Sequence, residues 1–391
     1  MKPCTPGFAF HVVARDGCAR RAILETPHAH VDTPTFMPVG TQGSVKTLTP
    51  DEVASTGARI VLGNTYHLML RPGADIVAAL GGLHDFARWP HAMLTDSGGF
   101  QAYSLRDRGV SRGADRARVD EAEEGFAFRS HIDGSSHMLT PEAAVRVQGQ
   151  LGADIQMQLD VCPEGGAERS VVEAAVCRTT RWAKRALSEP RPGGQALFGI
   201  VQGACFVDLR QAHASELGEL PFDGLAVGGF SVGEPIERMH EALTEVVPAL
   251  DPERPRYLMG VGSPRDIVLG IAAGIDMFDC VMPTRNARNG QAFTRFGRIT
   301  IKNARWQRDP RPIDEQCQCL CCVNGFSRGY LRHLYLTGEI LSLRLLSLHN
   351  LHWYGELTRG AREAIAVGRF ASWAHQVLSS MSGDDALDDP T

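Results

Sequence analysis

No stretch of the chain approaches the roughly 18–20 uninterrupted apolar residues that a membrane-spanning helix needs. Nor does an apolar core follow Lys2, as it would in a secretory signal. A cytoplasmic protein is the expectation. A disulfide framework is missing as well. Of ten cysteines, Cys4, Cys18, Cys162, Cys177, Cys205 and Cys280 are scattered singly, and the other four crowd into residues 317–322. In a long intracellular chain such crowding points to a metal. Net positive charge is also lacking, at −5 over 391 residues. A nucleic-acid partner would therefore have to meet a local basic face. One candidate lies between residues 285 and 311, where Arg285, Arg288, Arg295, Arg298, Lys302, Arg305, Arg308 and Arg311 stand against the single acid Asp309. Finally, no His-x-His marks the first apolar run, where metal-dependent barrel hydrolases carry one. His28-Ala29-His30 precedes that run, follows Pro27, and reads as a turn.

What is present is a rhythm. Short β-like apolar runs occupy residues 35–40, 59–64, 92–96, 155–160, 197–202, 224–229, 257–262 and 275–280. Helical periodicity lies between many of them, at 170–187, 236–247 and 264–273, the last with Ser263 and Pro264 as a start signal. Strands alternating with helices imply parallel strands joined by crossover helices. Eight such units predict an α/β fold, a closed (β/α)8 barrel. Residues 125–139 interrupt the rhythm. Apolar alternation around Asp133-Gly134 predicts a β-hairpin with a type I′ turn, inserted after the third strand. The charged, periodless segment 106–124 reads as a mobile loop. A long helical stretch is expected over 327–381, and an acidic, disordered tail over 382–391. The expected division is a catalytic barrel at 1–302 and a zinc-binding subdomain with closing helices at 303–381, packed on that barrel.

The chemistry is written at the strand ends. In such barrels the active site lies at the C-terminal ends of the strands. There the runs finish in Asp96, Asp160, Gln202, Gly229, Gly260 and Asp279. A single Asp is as readily a helix cap. Three around one barrel mouth suit glycosidic-bond chemistry, which needs a nucleophile and a proton-handling group. They also leave a metal-dependent hydrolase open. Cys317-Gln318-Cys319-Leu320-Cys321-Cys322, with His349 downstream, predicts a closed tetrahedral Cys3His zinc site. The expected ligands are Cys317, Cys319, Cys322 and His349, with Cys321 as a spare that could replace Cys319 or Cys322. Four protein ligands leave no open position, so the zinc is expected to be structural.

Four segments carry a resemblance. Thr95-Asp96-Ser97-Gly98-Gly99-Phe100-Gln101, Gly63-Asn64-Thr65-Tyr66-His67-Leu68, Gly199-Ile200-Val201-Gln202-Gly203 and the run from Met277 through Asp279 to Gly290 resemble signatures of the queuine/archaeosine tRNA-ribosyltransferase family. The zinc cluster matches too, and the resemblance covers residues 8 to 375. It implies a pentosyltransferase that exchanges guanine at the wobble position of tRNAs with a guanine-uracil-any-base (GUN) anticodon. The incoming base would be 7-aminomethyl-7-deazaguanine, in queuosine biosynthesis. On the matching positions, Asp279 would be the nucleophile that holds the tRNA covalently, and Asp96 the general acid/base. Asp160, Gln202 and the Gly229 N–H would read the base edge, with Phe100 and Met259 on its two faces. Cys162 would accompany the aminomethyl substrate, whose ammonium would meet the Phe230 carbonyl, oriented by Glu234. Arg285 and Arg288 would hold flanking nucleotides. The resemblance also implies one zinc per subunit and a homodimer, with Tyr330 and His333 at the interface. Two departures stand out. The family's Gly-Gly-Leu-Ala-Val-Gly-Glu is Gly228-Gly229-Phe230-Ser231-Val232-Gly233-Glu234 here, and the 106–124 loop is longer. A non-catalytic tRNA-binding relative is the other reading, though it need not keep both acids.

Overall fold

A computed structural model describes residues 5–104, 120–121 and 123–381 of the chain. Eight parallel staves form its centre. They are β1 (Thr35–Met37, continued by Val39–Gly40), β2 (Ile60–Gly63), β3 (Ala92–Thr95), β4 (Ile155–Met157), β5 (Ala196–Val201), β6 (Gly224–Val227), β7 (Arg256–Leu258) and β8 (Met277–Asp279). Each pairs in parallel with the next, and β8 pairs back onto β1 through Phe278 and Phe36, so the sheet closes into a TIM barrel. The first run is split at Pro38, which has no N–H to donate. Its carbonyl still accepts from Leu62 at 3.0 Å, so pairing continues across the break.

Side chains alternate across the barrel wall as a pleated strand requires. Ala196, Phe198 and Ile200 of β5 join an interior cluster with Met37, Ile60, Leu94, Met157, Ala226 and Tyr257. Leu197 and Val201 of the same strand face the outer cluster under the helices. The helix Pro264–Ala273 starts and stops as expected. Ser263 Oγ accepts the Asp266 N–H at 3.1 Å, and Gly274 ends it in the left-handed region. The helical stretch at 327–381 is three helices, Arg328–Leu336, Ile340–Ala366 and Phe370–Met381. The middle one packs against β1, β8's following helix and Pro264–Ala273.

An element the sequence rhythm did not show closes the barrel's other end. Three antiparallel strands, Ala9–Asp16, Ala19–Glu25 and His30–Thr33, send Leu24 and Val31 into the interior cluster, with Phe8 and Phe10 against it. Arg20 fastens this sheet to the barrel. Its guanidinium is fully buried, forms a two-point ion pair with Asp276 just before β8, and donates to the Pro252 and Arg254 carbonyls at 2.7 Å each.

The inserted hairpin is present, as Phe126–Arg129 paired with Ser136–Leu139. Its turn is not type I′. That turn needs positive φ at both central residues, whereas only Gly134 has it (φ +74°). A longer connection spans residues 130–135, closed by Ser130 N–H to Ser135 O at 2.8 Å and Gly134 N–H to Ser130 O at 2.9 Å. Asp120–Glu121 adds a third strand to this hairpin. Most of the expected mobile loop at 106–124, and all of the expected tail at 382–391, lie outside the described residues.

Candidate active site and metal centre

The C-terminal strand ends open into a cavity of about 420 Å³. Asp96, Phe100, Asp160, Cys162, Gln202, Gly229, Phe230, Met259 and Asp279 all line it, although they come from six different strand ends. Among the described residues, no Lys or Arg lines it. Three buried carboxylates therefore share one space whose described wall contributes no guanidinium or ammonium group.

Each acid is held by neutral donors. Asp279 Oδ1 accepts the Tyr257 hydroxyl at 2.6 Å and the Gly260 N–H at 2.7 Å. Burial nevertheless pushes its pKa up, and those two donors pull it back only in part. Asp96 accepts from the Thr65 N–H at 2.8 Å, the Asn64 amide at 2.5 Å and the Gln101 amide at 2.8 Å. Burial, with a smaller push from the Asp279 charge, raises it to about 6. Asp160 accepts the Gln202 amide at 2.6 Å and is likewise pushed up to about 6, by burial and, less, by Asp96. Desolvation has shifted all three toward the range where a carboxyl can both hold and release a proton near neutral pH.

The 228–234 loop explains its own sequence. Gly229 has φ +67°, and a Cβ there would lie 2.2 Å from Gln202 Oε1, so only glycine fits. Phe230 does not fill the cavity as its bulk suggests. Its ring lies under the buried Arg210 guanidinium, 3.8 Å from the ring centroid, while Arg210 also donates to the Gly229 and Ala204 carbonyls. Glu234 is not in the cavity wall. Its carboxylate accepts the Ser231 and Val232 N–H groups and fixes the loop from behind. Phe100 is half-exposed at the mouth, and burial pushes the Cys162 thiol up to about 12, so it is neutral. Arg285 and Arg288 stand outside the cavity, on the helix Met282–Arg288 that follows β8. In the basic stretch beyond them, Arg295 pairs with Asp314 and Arg311 with Asp309.

Tyr257, Gly260, Asn64, Thr65 and Gln101 hold the acids, yet the strand-end pattern did not single them out for that role. Asn64, Thr65 and Gln101 lie inside the motif segments and could have been read from them. Tyr257 looks like any core aromatic of a strand, and nothing local gives it a partner.

The metal centre brings together the four expected ligands. Cys317, Cys319 and Cys322 place their sulfurs 3.6, 3.4 and 3.4 Å from His349 Nδ1, and all four residues are buried. These separations suit a tetrahedral ion with Zn–S of about 2.3 Å and Zn–N of about 2.0 Å. His349 Nε2 lies 2.8 Å from the Phe293 carbonyl, so Nε2 carries the proton and Nδ1 faces the sulfurs. Cys321 is outside this set and packs in the surrounding core with Trp306, Ile313 and Leu346. The group is closed, as a structural zinc requires.

The model of the family described as queuine tRNA-ribosyltransferase matches residues 16–383. The chain belongs to this family. Proteins named queuine tRNA-ribosyltransferase resemble it along nearly their whole length. That of Sorangium cellulosum is 66% identical over 376 residues, covering 96% of this chain and 93% of its own. That of Nitratidesulfovibrio vulgaris is 53% identical over 371 residues (94% and 96%), and that of Solidesulfovibrio magneticus 52% over 360 (92% and 94%). Membership in the queuine tRNA-ribosyltransferase family agrees with the closed barrel and the Cys3His group. No helix among the described residues is long and apolar enough to cross a membrane.

Proposed function

We propose that this chain is a cytoplasmic tRNA-guanine transglycosylase, exchanging the wobble guanine of GUN-anticodon tRNAs for 7-aminomethyl-7-deazaguanine in queuosine biosynthesis. The observation that carries this reading is the acidic cavity, three buried carboxylates whose wall, among the described residues, holds no Lys or Arg and only His67, an imidazole that burial keeps toward its neutral form. Such a cavity disfavours phosphate and favours an N–H-rich base, an ammonium group and the positive charge that develops on a ribose losing its base.

Asp279 is the nucleophile. With Oδ1 held by Tyr257 and Gly260, Oδ2 attacks the anomeric carbon. The Oδ2–carbon bond forms as the bond to the guanine ring nitrogen breaks, and protonated Asp96 supplies a proton to the departing base. The incoming base then gives a proton to Asp96, bonds to the anomeric carbon and releases Asp279. Asp160, Gln202 and the Gly229 N–H read the base edge between Phe100 and Met259. Cys162 and the Phe230 carbonyl, with Glu234 behind, receive the aminomethyl end. The target nucleotide leaves its stack to enter the cavity, and Arg285 and Arg288 hold its neighbours outside. The active unit is a homodimer, in which the exposed Tyr330 and His333 of the helix Arg328–Leu336 lie at the interface.

The hydrolase alternative needs the cavity acids to hold an ion. Among the described residues the groups able to do so lie elsewhere, and Asp96, Asp160 and Asp279 do not form one. The deciding experiment is exchange of radiolabelled guanine into an unmodified GUN-anticodon tRNA, with wild type beside Asp279→Asn. Incorporation that disappears in the variant supports the double displacement. A folded wild type that incorporates nothing moves the reading to a non-catalytic tRNA-binding relative. Chelation is expected to damage folding or dimerisation, and exchange with it, because the Cys3His group holds structure. Reversible loss of exchange with unchanged circular dichroism would favour the hydrolase.

A further inference from the structure

The described residues contain one other group of metal-type ligands, at the end of the barrel opposite the cavity. His28, His84 and Asp154 place one ligand atom each within 4.8 Å of one another. They come from three separate segments. His28 sits on the turn between the second and third strands of the N-terminal sheet, which Thr26 closes through its hydroxyl and the Ala29 backbone. His84 is on the short helix Gly82–Ala87, and Asp154 directly precedes β4.

Asp154 is fully buried. Its Oδ2 accepts the Met93 N–H at 2.8 Å, and its Oδ1 lies 2.7 Å from His28 Nδ1. His84 decides the chemistry. Its Nδ1 lies 3.2 Å from the Trp89 carbonyl, an acceptor only, so Nδ1 carries a proton. In the neutral ring Nε2 then bears a lone pair. That atom is buried, makes no well-aligned hydrogen bond, and faces Asp154 Oδ2 at 3.3 Å. A proton on Nε2 would make this contact an ion pair, and a metal ion in its place would bridge the same two atoms. The arrangement repeats the logic of His349, where one ring nitrogen donates to a carbonyl and the other is turned to the ion.

We propose that His28, His84 and Asp154 form a second metal site, for a divalent transition ion such as zinc, cobalt or nickel. Two imidazoles and one carboxylate suit this class, and water completes the shell. Ligands about 2.0–2.2 Å from one ion stand roughly 3.3 Å apart, as His84 Nε2 and Asp154 Oδ2 do, whereas His28 Nδ1, in direct hydrogen-bond contact with Asp154 Oδ1 at 2.7 Å, must draw back to admit the ion. The His28 and His84 rings are stacked, with centroids 3.6 Å apart. Parallel rings cannot both aim at one ion, so uptake requires His28 to tilt out of the stack. It is on a turn with a 44% exposed side chain, which leaves it room. The bound ion ties the N-terminal sheet to the start of β4 and to the helix of His84. This proposal does not depend on the transglycosylase reading.

The test is metal content after equilibration with excess zinc and desalting, with wild type beside His28→Ala, His84→Ala and His30→Ala. His30 is an exposed neighbour and serves as the control for loose surface binding. Wild type and His30→Ala are expected to hold two equivalents per chain, and the other two variants one. Cobalt titrated into protein whose Cys3His group already holds zinc should give weak visible bands without thiolate charge transfer. They should be absent in His28→Ala, a surface change that leaves the fold intact. One equivalent in wild type, or a second that survives both substitutions, overturns the proposal. The cluster would then be two imidazoles sharing a proton with a carboxylate.

Discussion

Asp276 and Asp279 lie at opposite ends of β8, and both are buried. Asp276, at the entry, meets the Arg20 guanidinium at two points and also accepts the Arg256 N–H at 2.7 Å. Burial raises its pKa, and the Arg20 charge and hydrogen bonds work against that rise. Asp279, at the exit, has a tyrosine hydroxyl and a backbone N–H and, among the described residues, no cation. The same residue type on one short strand thus serves two ends. A buried carboxylate matched to a guanidinium holds two layers together. One left with neutral donors is less stable as an anion and better disposed to meet a positive centre.

The comparison can be broken by exchanging the consequences. Asp279→Asn is expected to lower base exchange by roughly 10⁴-fold or more, above about 5 kcal/mol. Its melting temperature should not fall, because the amide oxygen can still accept from Tyr257 and Gly260. A large loss of stability in a thermal melt would show that Asp279 is structural after all. Arg20→Met should do the reverse. Leaving Asp276 buried and unpaired costs about 3–5 kcal/mol in denaturant titrations, while the folded fraction keeps its turnover. Adding Asp276→Asn should return part of that stability, and no recovery would argue that the ion pair is not the fastening.

A smaller effect sharpens the role of the neutral donors. Tyr257→Phe removes one hydrogen bond to a charged group and should reduce exchange by about 10- to 150-fold, or 1.5–3 kcal/mol. The wild-type fold should be kept, and an unchanged kcat/KM would mean that Gly260 alone suffices to hold Asp279. The mildest test is pH. On the proposed reading Asp160, pushed up to about 6, holds the base only when ionised, so the KM for the base should rise as pH falls below 6, approaching tenfold per unit. A flat profile between pH 5 and 7 would count against the assignment. The sign for stability is opposite. A carboxyl whose folded pKa is raised favours folding while protonated, fully below pH 4, and that contribution is lost as pH rises through about 6. At neutral pH the ionised cavity acids therefore destabilise the fold.

Much of this molecule was legible in one dimension. Strand runs of eight parallel staves, the start of Pro264–Ala273, and a Cys-x-Cys-x-x-Cys spacing are local patterns, set by backbone periodicity and by the reach of adjacent ligands. The acids at the run ends were legible for the same reason, since a strand that leaves the barrel core turns polar at the residue where it emerges. The type I′ turn was misjudged because Asp133-Gly134 is favourable chemistry for it, but the Ser130–Ser135 pairing set a longer connection. The N-terminal sheet gave no rhythm that distinguished it from a leading segment.

The sequence by itself determined the barrel, the family, the Cys/His cluster with Cys321 still open as a ligand, and which acids are candidates, because each follows from short-range pattern or from long motifs. Only the tertiary structure decided which acid is neutralised and which is not. Arg20 and Asp276 are separated by 256 positions, Tyr257 and Asp279 by 22, and His28 and Asp154 by 126. Closing the sheet is what brings such pairs together. Whether a buried charge has a partner is therefore a property of the closed barrel, and it is this that separates the fastening Asp276 from Asp279, the proposed nucleophile.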